Sequence, residues 1–283
     1  MGGLEGFGAL VTGGGGGIGL GCAKRLAADG AAVTVLGRTD ATLRDAVAEV
    51  DAIAAAGTAP AQHVVADVTD EQQVADAVEH ATEMTGTLDV VMACAGGNTS
   101  VGPVGQLDTD AWRTSLELNA TGTMLTLKHG SRALARGRGG SFVAISSIAS
   151  SNTHRWFGAY GPSKAAVDHL VALGADELGA AGVRVNGIRP GLVATDMVQD
   201  VTAPGPVLDD YLACMPLGRV GQVEDIAEAA RFFAGPESSW VTGQVVNVDG
   251  GHHLRRGPDY RPMFGPLFGE SALDGQPSQQ QRS

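Results

Sequence analysis

The stretch "VTGGGGGIG", from Val11 to Gly19, sets five consecutive glycines between a short apolar run and a helical pattern. Glycine tolerates φ > 0, so an unanchored run of this kind behaves as a flexible linker. Held between a strand and a helix, the same run can close its bare N–H groups round an anion. The sequence on either side decides between the two.

Outward from this run, apolar stretches alternate with helical patterns along the chain. The strand candidates are "ALV" (9–11), "AVTVL" (32–36), "HVVA" (63–66), "VVMA" (90–93), "SFVAIS" (141–146), "RVNGI" (184–188) and "VVNV" (245–248). They are rich in Val and Ile and continuous rather than alternating, as strands buried on both faces are. Helical patterns occupy 17–29, 41–56, 71–85, 110–135, 162–180 and 222–234, with Asp70 placed as an N-cap and Gly57 and Gly86 as helix stops. This alternation predicts a single Rossmann-type doubly wound α/β fold, a parallel sheet of about seven strands with helices on both faces. No linker or shift of composition divides residues 1–251, which read as one domain. Two stretches break the rhythm. One is 193–216, with Pro, Gly and acidic residues; the other is a tail over 252–283, whose polar, low-complexity end is expected to be disordered.

Of 283 residues, 43 % are apolar and 18 % charged, enough for a sizeable core. The formal charge of −12 argues against a nucleic-acid surface, which needs basic residues, and gives no hint of binding to anionic membranes. Cys22, Cys94 and Cys214 are widely spaced, with no C-x-x-C pair, and Cys22 and Cys94 sit in apolar runs as buried thiols. This usage points to a reducing cytoplasm. No secretion signal and no membrane-length apolar stretch is read, so the N-x-S/T patterns at Asn98 and Asn119 are coincidental.

In this setting the glycine run follows the first strand and opens the first helix, where a parallel sheet binds a dinucleotide pyrophosphate. Two registers fit: G-x-G-x-x-G at Gly14, Gly16 and Gly19, and T-G-x-x-x-G-I-G at Thr12, Gly13, Gly17, Ile18 and Gly19. A P-loop is excluded, because no Lys follows. After the second strand, where an NAD site carries an acid, this chain has Gly37 and then Arg38. A guanidinium there can pair with the 2′-phosphate of NADP, which a carboxylate would repel, so NADP is preferred to NAD.

At 160–164 the chain reads "YGPSK", which puts Tyr160 and Lys164 on one face of a helix, with Pro162 suited to its first turn. A nearby cation lowers a phenol's pKa from about 10 by roughly 1–3 units, enough for general acid–base work near neutrality. Here the sequence resembles the short-chain dehydrogenase/reductase family over roughly residues 7–251. "TGGGGGIG" is similar to that family's cofactor motif, and "ISS" (145–147), with Ser147 thirteen places before Tyr160, to its catalytic serine segment. "LELNATG" resembles its active-site asparagine segment, here Asn119. "RPGLVATDM" resembles its Pro-Gly segment and "TGQVVNVDGG" its last strand.

The resemblance implies an NAD(P)-dependent oxidoreductase interconverting a ketone and a secondary alcohol. Tyr160 would be the general acid/base. Lys164 would lower the Tyr160 pKa and hold the nicotinamide ribose, Ser147 would bond the substrate oxygen, and Asn119 would organise a water beside Lys164. By the same resemblance Gly13, Gly16, Gly17, Ile18, Gly19 and Arg38 hold the cofactor, with Asp67 and Val68 at the adenine. Ala95 and Gly96 lie near the ribose, and Pro190, Gly191, Val193 and Thr195 flank the nicotinamide. A homotetramer is implied, with the tail residues Tyr260, Phe264 and Phe268 lying over a neighbouring subunit. "ACAG" (93–96) stands where the family has "NNAG", so a changed local hydrogen-bond pattern is expected.

By chemistry alone Ser146 equals Ser147, and only the spacing to Tyr160 favours the latter. Asn119 reads equally as a helix-interrupting amide. Arg155, between Ser147 and Tyr160, either faces water or recognises an anion. His252 and His253 have no further ligand nearby and read as a solvent-facing pair; no metal site is expected. The C-terminal segment resembles 3-oxoacyl-thioester reductases, so such a substrate is expected. An NAD-dependent alcohol or hydroxysteroid dehydrogenase is the alternative, and a non-catalytic nucleotide sensor the alternative of another class.

Overall fold

The structure is a computed structural model and describes residues 3–276. The disordered end expected of the tail lies outside the described residues.

Seven strands, β1 (Gly8–Thr12), β2 (Ala32–Gly37), β3 (Gln62–Val65), β4 (Val90–Ala93), β5 (Gly140–Ile145), β6 (Val183–Pro190) and β7 (Val245–Val248), form one sheet in the order β3-β2-β1-β4-β5-β6-β7. Every pairing is parallel. Between and after them run α1 (Gly17–Ala28), α2 (Asp40–Asp51), α3 (Glu71–Thr85), α4 (Thr109–Leu116), α5 (Gly122–Arg136) and α6 (Tyr160–Leu178). They are followed by α7 (Gln199–Thr202), α8 (Pro206–Cys214), α9 (Val223–Ala234), α10 (Arg261–Phe268) and α11 (Glu270–Leu273).

The strands read as continuous apolar runs because alternate residues serve two cores. Val11 and Ala9 of β1, Val90 and Met92 of β4, and Val143 of β5 face one core, closed by Cys22 and Leu26 of α1 and Ile226 and Phe233 of α9. Leu10, Val91, Phe142 and Ala144 face the other, closed by Val78 of α3, Leu134 of α5 and Val167 of α6. Sheet order reverses at β1, whose neighbours are β2 and β4, so the crevice for a ligand opens beyond the carboxyl ends of β1 and β4.

Asp70 caps α3, its carboxylate accepting from the Gln73 N–H at 3.0 Å, and Gly86 ends the helix at φ 71°. Three expectations need correcting. Helix α2 stops at Asp51, and Gly57 (φ 87°) turns the following loop instead of capping the helix. The pattern at 110–135 is two helices, α4 and α5, joined by a π-helical turn over Glu117–Thr121. His252 is fully buried, its Nε2 directed at the Arg256 carbonyl at 3.1 Å; the turn at Gly250 and Gly251 tucks it under the tail. His253 is exposed, as expected.

Tail residues Tyr260 and Phe264 are buried within this chain, against Trp156, Tyr211 and Met215. No helix among the described residues is long and apolar enough to cross a membrane.

A Cβ on Gly19 would lie 2.2 Å from the Gly13 carbonyl oxygen, whereas one on Gly16 would meet nothing within 4 Å. Gly19→Ala is therefore expected to lower stability by about 1–3 kcal/mol and Gly16→Ala to leave it unchanged, as read by urea denaturation of both variants.

Candidate active site

Six of the expected functional segments follow the carboxyl ends of strands. The glycine run leaves β1, Arg38 follows β2, Asp67 follows β3, Cys94 to Gly96 follow β4, Ser147 follows β5 and Gly191 follows β6. Thr12, whose role sequence reasoning missed, ties two of these together: its Oγ1 accepts from the N–H groups of Cys94 and Ala95 at 3.1 and 3.2 Å. These bonds stand in the segment where the two asparagines of "NNAG" are replaced. Gly13, at φ 66°, has no room for a side chain, since a Cβ would sit 2.8 Å from the Ala95 nitrogen. Gly16 and Gly17 are exposed at the start of α1, with no side chain capping its first amides. That bare, positively polarised helix end over a side-chain-free surface fits a pyrophosphate.

Ile18 is half-buried behind the run, and the Thr195 methyl would lie 3.4 Å from a Cβ on Gly17. Arg38 is exposed at the rim, where its charge helps hold the Asp67 carboxyl below the ordinary range. The largest cause of that depression is the hydrogen bond from the Thr69 N–H. Val68 is buried against Gly122 of α5, and Val193 lies in the core with its backbone bridged to Gly221. Gly191 N–H donates to the Val248 carbonyl at 3.1 Å, and Pro190 is buried at the end of β6. Side chains of Val68 and Val193 therefore serve packing, which leaves their backbone to border a ligand.

Tyr160 is the first residue of α6, two places earlier than the apolar pattern alone indicates. Ser163 N–H bonds back to the Ala159 carbonyl at 2.9 Å, which starts the helix before Pro162. One turn on, Lys164 is 3 % exposed, and its Nζ donates to the Ile145 carbonyl at 2.8 Å. Ser146 is excluded as the reacting hydroxyl by its bond to the Lys164 carbonyl at 3.2 Å. Ser147 Oγ accepts from the Ala149 N–H at 3.1 Å and stands close enough to Tyr160 to favour its ionised form.

Asn119 sits fully buried in the π-helical turn, which aims it at the loop after β4. Its Oδ1 accepts from the Gly97 N–H at 2.9 Å, and its Nδ2 donates to the Gly97 carbonyl at 2.7 Å and to Ser163 Oγ at 3.0 Å. A Cβ on Gly96 would lie 2.8 Å from Asn119 Oδ1 and 3.0 Å from Lys164 Nζ, so both groups converge on that glycine. Ser163 is a second missed residue. It stands inside "YGPSK", but nothing in its chemistry distinguished it from an exposed helix serine.

Burial is the largest influence on both titratable groups of the pair. It pushes the Tyr160 phenol above its ordinary value, and the Ser147 hydroxyl only partly opposes this. Burial likewise pushes Lys164, whose Nζ lies 5.9 Å from the Tyr160 ring centroid, down to about 8.

Known proteins resemble this chain along most of its length. Residues 13–253 match the family model described as enoyl-(acyl carrier protein) reductase. Cis-4-hydroxycyclohexanecarboxylate dehydrogenase of Sinomonas cyclohexanicum is 36 % identical over 86 % of this chain and 95 % of its own length. The 3-oxoacyl-[acyl-carrier-protein] reductase of Synechocystis sp. is 34 % identical, again over 86 % of this chain and 95 % of its own. A short-chain type dehydrogenase/reductase from Mycobacterium ulcerans superposes with a TM-score of 0.95 and 52 % identity, covering 97 % of this chain and 99 % of that one.

Because Lys164 holds a pKa of about 8 when folded against about 10.4 when unfolded, the unfolded chain carries the extra proton between those values. Stability from this residue is thus full above the upper value and lost as pH falls through the lower one. Lys164→Met removes that dependence. Relative to the variant, the melting temperature of the unaltered protein should rise between pH 7 and 10; a constant difference in parallel thermal melts would show an ordinary lysine.

Proposed function

Because the chain belongs to the short-chain dehydrogenase/reductase family and is an oxidoreductase acting on CH–OH or C=O groups using NAD(P), we propose that it reduces a ketone to a secondary alcohol with NADP preferred to NAD. The observation that carries this reading is the meeting of Ser147, Tyr160, Lys164 and Asn119 beside the glycine run, linked through Ser163 and Gly97. The hydride is the cofactor's contribution.

The side chains supply the rest. A phenol kept protonated by burial donates its proton to the carbonyl oxygen as negative charge develops there, and Ser147 gives that oxygen a second hydrogen bond. Lys164 and Asn119 converge at Gly96, where they hold the ribose side of the cofactor and return the proton to Tyr160. Gly13, Gly16, Gly17 and Gly19 receive the pyrophosphate, and Arg38 at the rim receives a 2′-phosphate. For the substrate, the likeness to a dehydrogenase of a hydroxycyclohexane carboxylate supports a compact alicyclic ketone. A second reading, reduction of a 3-oxoacyl thioester, is supported by the likeness to the Synechocystis reductase. A cytoplasmic homotetramer completes the proposal, on family resemblance alone.

Tyr160→Phe is expected to cut turnover by about 10²–10⁴-fold while NADPH binding, followed by fluorescence, stays intact. Undiminished turnover would refute the assignment. Arg38→Gln should weaken NADPH by roughly 10–100-fold, the value of a charge-assisted contact, and leave NADH unaltered; an equal loss for both would remove Arg38 as the phosphate reader.

A further inference from the structure

Beyond β7 the chain reverses at Gly250 and Gly251 and runs back across α8. Four contacts hold it there. Both Arg256 amino groups reach the Asp210 carboxylate, which also accepts from the Asp259 N–H at 2.6 Å. Arg255 donates to the Ala213 carbonyl at 2.5 Å, and the Tyr260 and Tyr211 hydroxyls hydrogen-bond each other. The segment continues into α10, which sets Phe264 edge-on against Trp156 at 6.2 Å and brings Phe268 to Gly102.

This strap unites the two stretches that flank the reacting groups. One is the loop between Ser147 and Tyr160, giving Trp156 and Phe157; the other is the stretch after β6, giving Leu192, Val207 and Met215. Between them stands the Tyr260 ring, 1 % exposed and 4.6 Å from Phe157, which in turn lies 6.3 Å from Tyr160. Phe157 is thus the single ring separating Tyr260 from the catalytic phenol. An ionised Tyr160 would oppose ionisation of both Tyr211 and Tyr260, which places all three hydroxyls in one electrostatic neighbourhood. The family match ends at residue 253, so Tyr260 comes from a segment beyond it.

We propose that Tyr260 sets the size of the substrate: its ring, held by the strap, fills the cleft beyond Phe157 and confines the ketone to one ring or a short chain. The inference rests on the ketone-reductase reading above and names the class of ketone that fits. Filling is the operative property, because a ring packed to this degree leaves no space for a second fused ring, whereas an emptied apolar cavity admits an apolar guest. The hydroxyl serves to fasten the ring to Tyr211.

The test measures NADPH-dependent reduction of cyclohexanone and of trans-1-decalone by the unaltered protein and three variants. The unaltered protein should favour cyclohexanone by at least ~100-fold in kcat/KM, about twice the 1.4 kcal/mol that corresponds to tenfold. Tyr260→Ala should shift that ratio at least ~10-fold towards decalone. Tyr260→Phe keeps the ring and loses only the Tyr211 hydrogen bond, so it should shift the ratio less than Tyr260→Ala does. Arg256→Gln loosens the strap without emptying the site and should shift the ratio in the same direction; it decides the matter if Tyr260→Ala does not fold. An unshifted ratio in the folded loosening variants, or equal use of both ketones by the unaltered protein, overturns the proposal. Reduction of neither ketone, with NADPH still bound, overturns the alicyclic-ketone reading on which the inference rests.

Discussion

At the carboxyl end of β1 the backbone comes into contact with itself and with the loop after β4, at distances that no side chain survives. Gly19 lies against the Gly13 carbonyl, Gly13 against Ala95, and Gly96 against Asn119 and Lys164. The first contact brings helix α1 over the strand so that its bare amino end faces the crevice. The last lets the asparagine and the lysine, from helices on different parts of the chain, reach a common point. Thr12 then pins the two loops with one hydroxyl accepting two amides. Absence of side chains is therefore the structural element on which both halves of the site depend.

Burial governs the chemistry of the reacting groups more than pairing does. The expectation that Lys164 depresses Tyr160 treats both as solvated charges a few ångström apart. In the folded chain both are desolvated, and each shifts towards its neutral form, the phenol upward and the ammonium down to about 8. The phenol stays protonated as a donor to a carbonyl. The ammonium is kept in place by the Ile145 carbonyl, 5.9 Å from the Tyr160 ring centroid.

The fold and the tail divide the functional work. Sheet and helices bring the glycine run, Asn119, Ser147, Tyr160 and Lys164 to one end of the sheet, in a family whose members differ in the molecules for which they are named. The cleft above that machinery is closed by segments outside the regular alternation, α8 and the strap, fastened by an ion pair at the rim and a phenol pair inside. An exposed pair of this kind contributes little to overall stability. Its effect is on where one aromatic ring rests.

Periodicity and glycine placement by themselves determined the parallel sheet, its seven strands and the crevice at β1, because strands buried on both faces and a backbone that must touch backbone leave local signatures. The pairing of Tyr160 and Lys164 was legible for the same reason, since i, i+4 on a helix is local geometry, whereas Ser147 was legible only through the family resemblance. Asn119 was legible through the family's asparagine segment, but not the π-helical turn that aims it at Gly97. Tertiary structure alone decided that Thr12 and Ser163 join the network, that His252 is buried, and that Tyr260 stands one ring from Tyr160. The physical reason is common to all of these. Hydrogen bonds and ring contacts between residues tens of positions apart cost nothing in local propensity, so they leave no periodic trace to read.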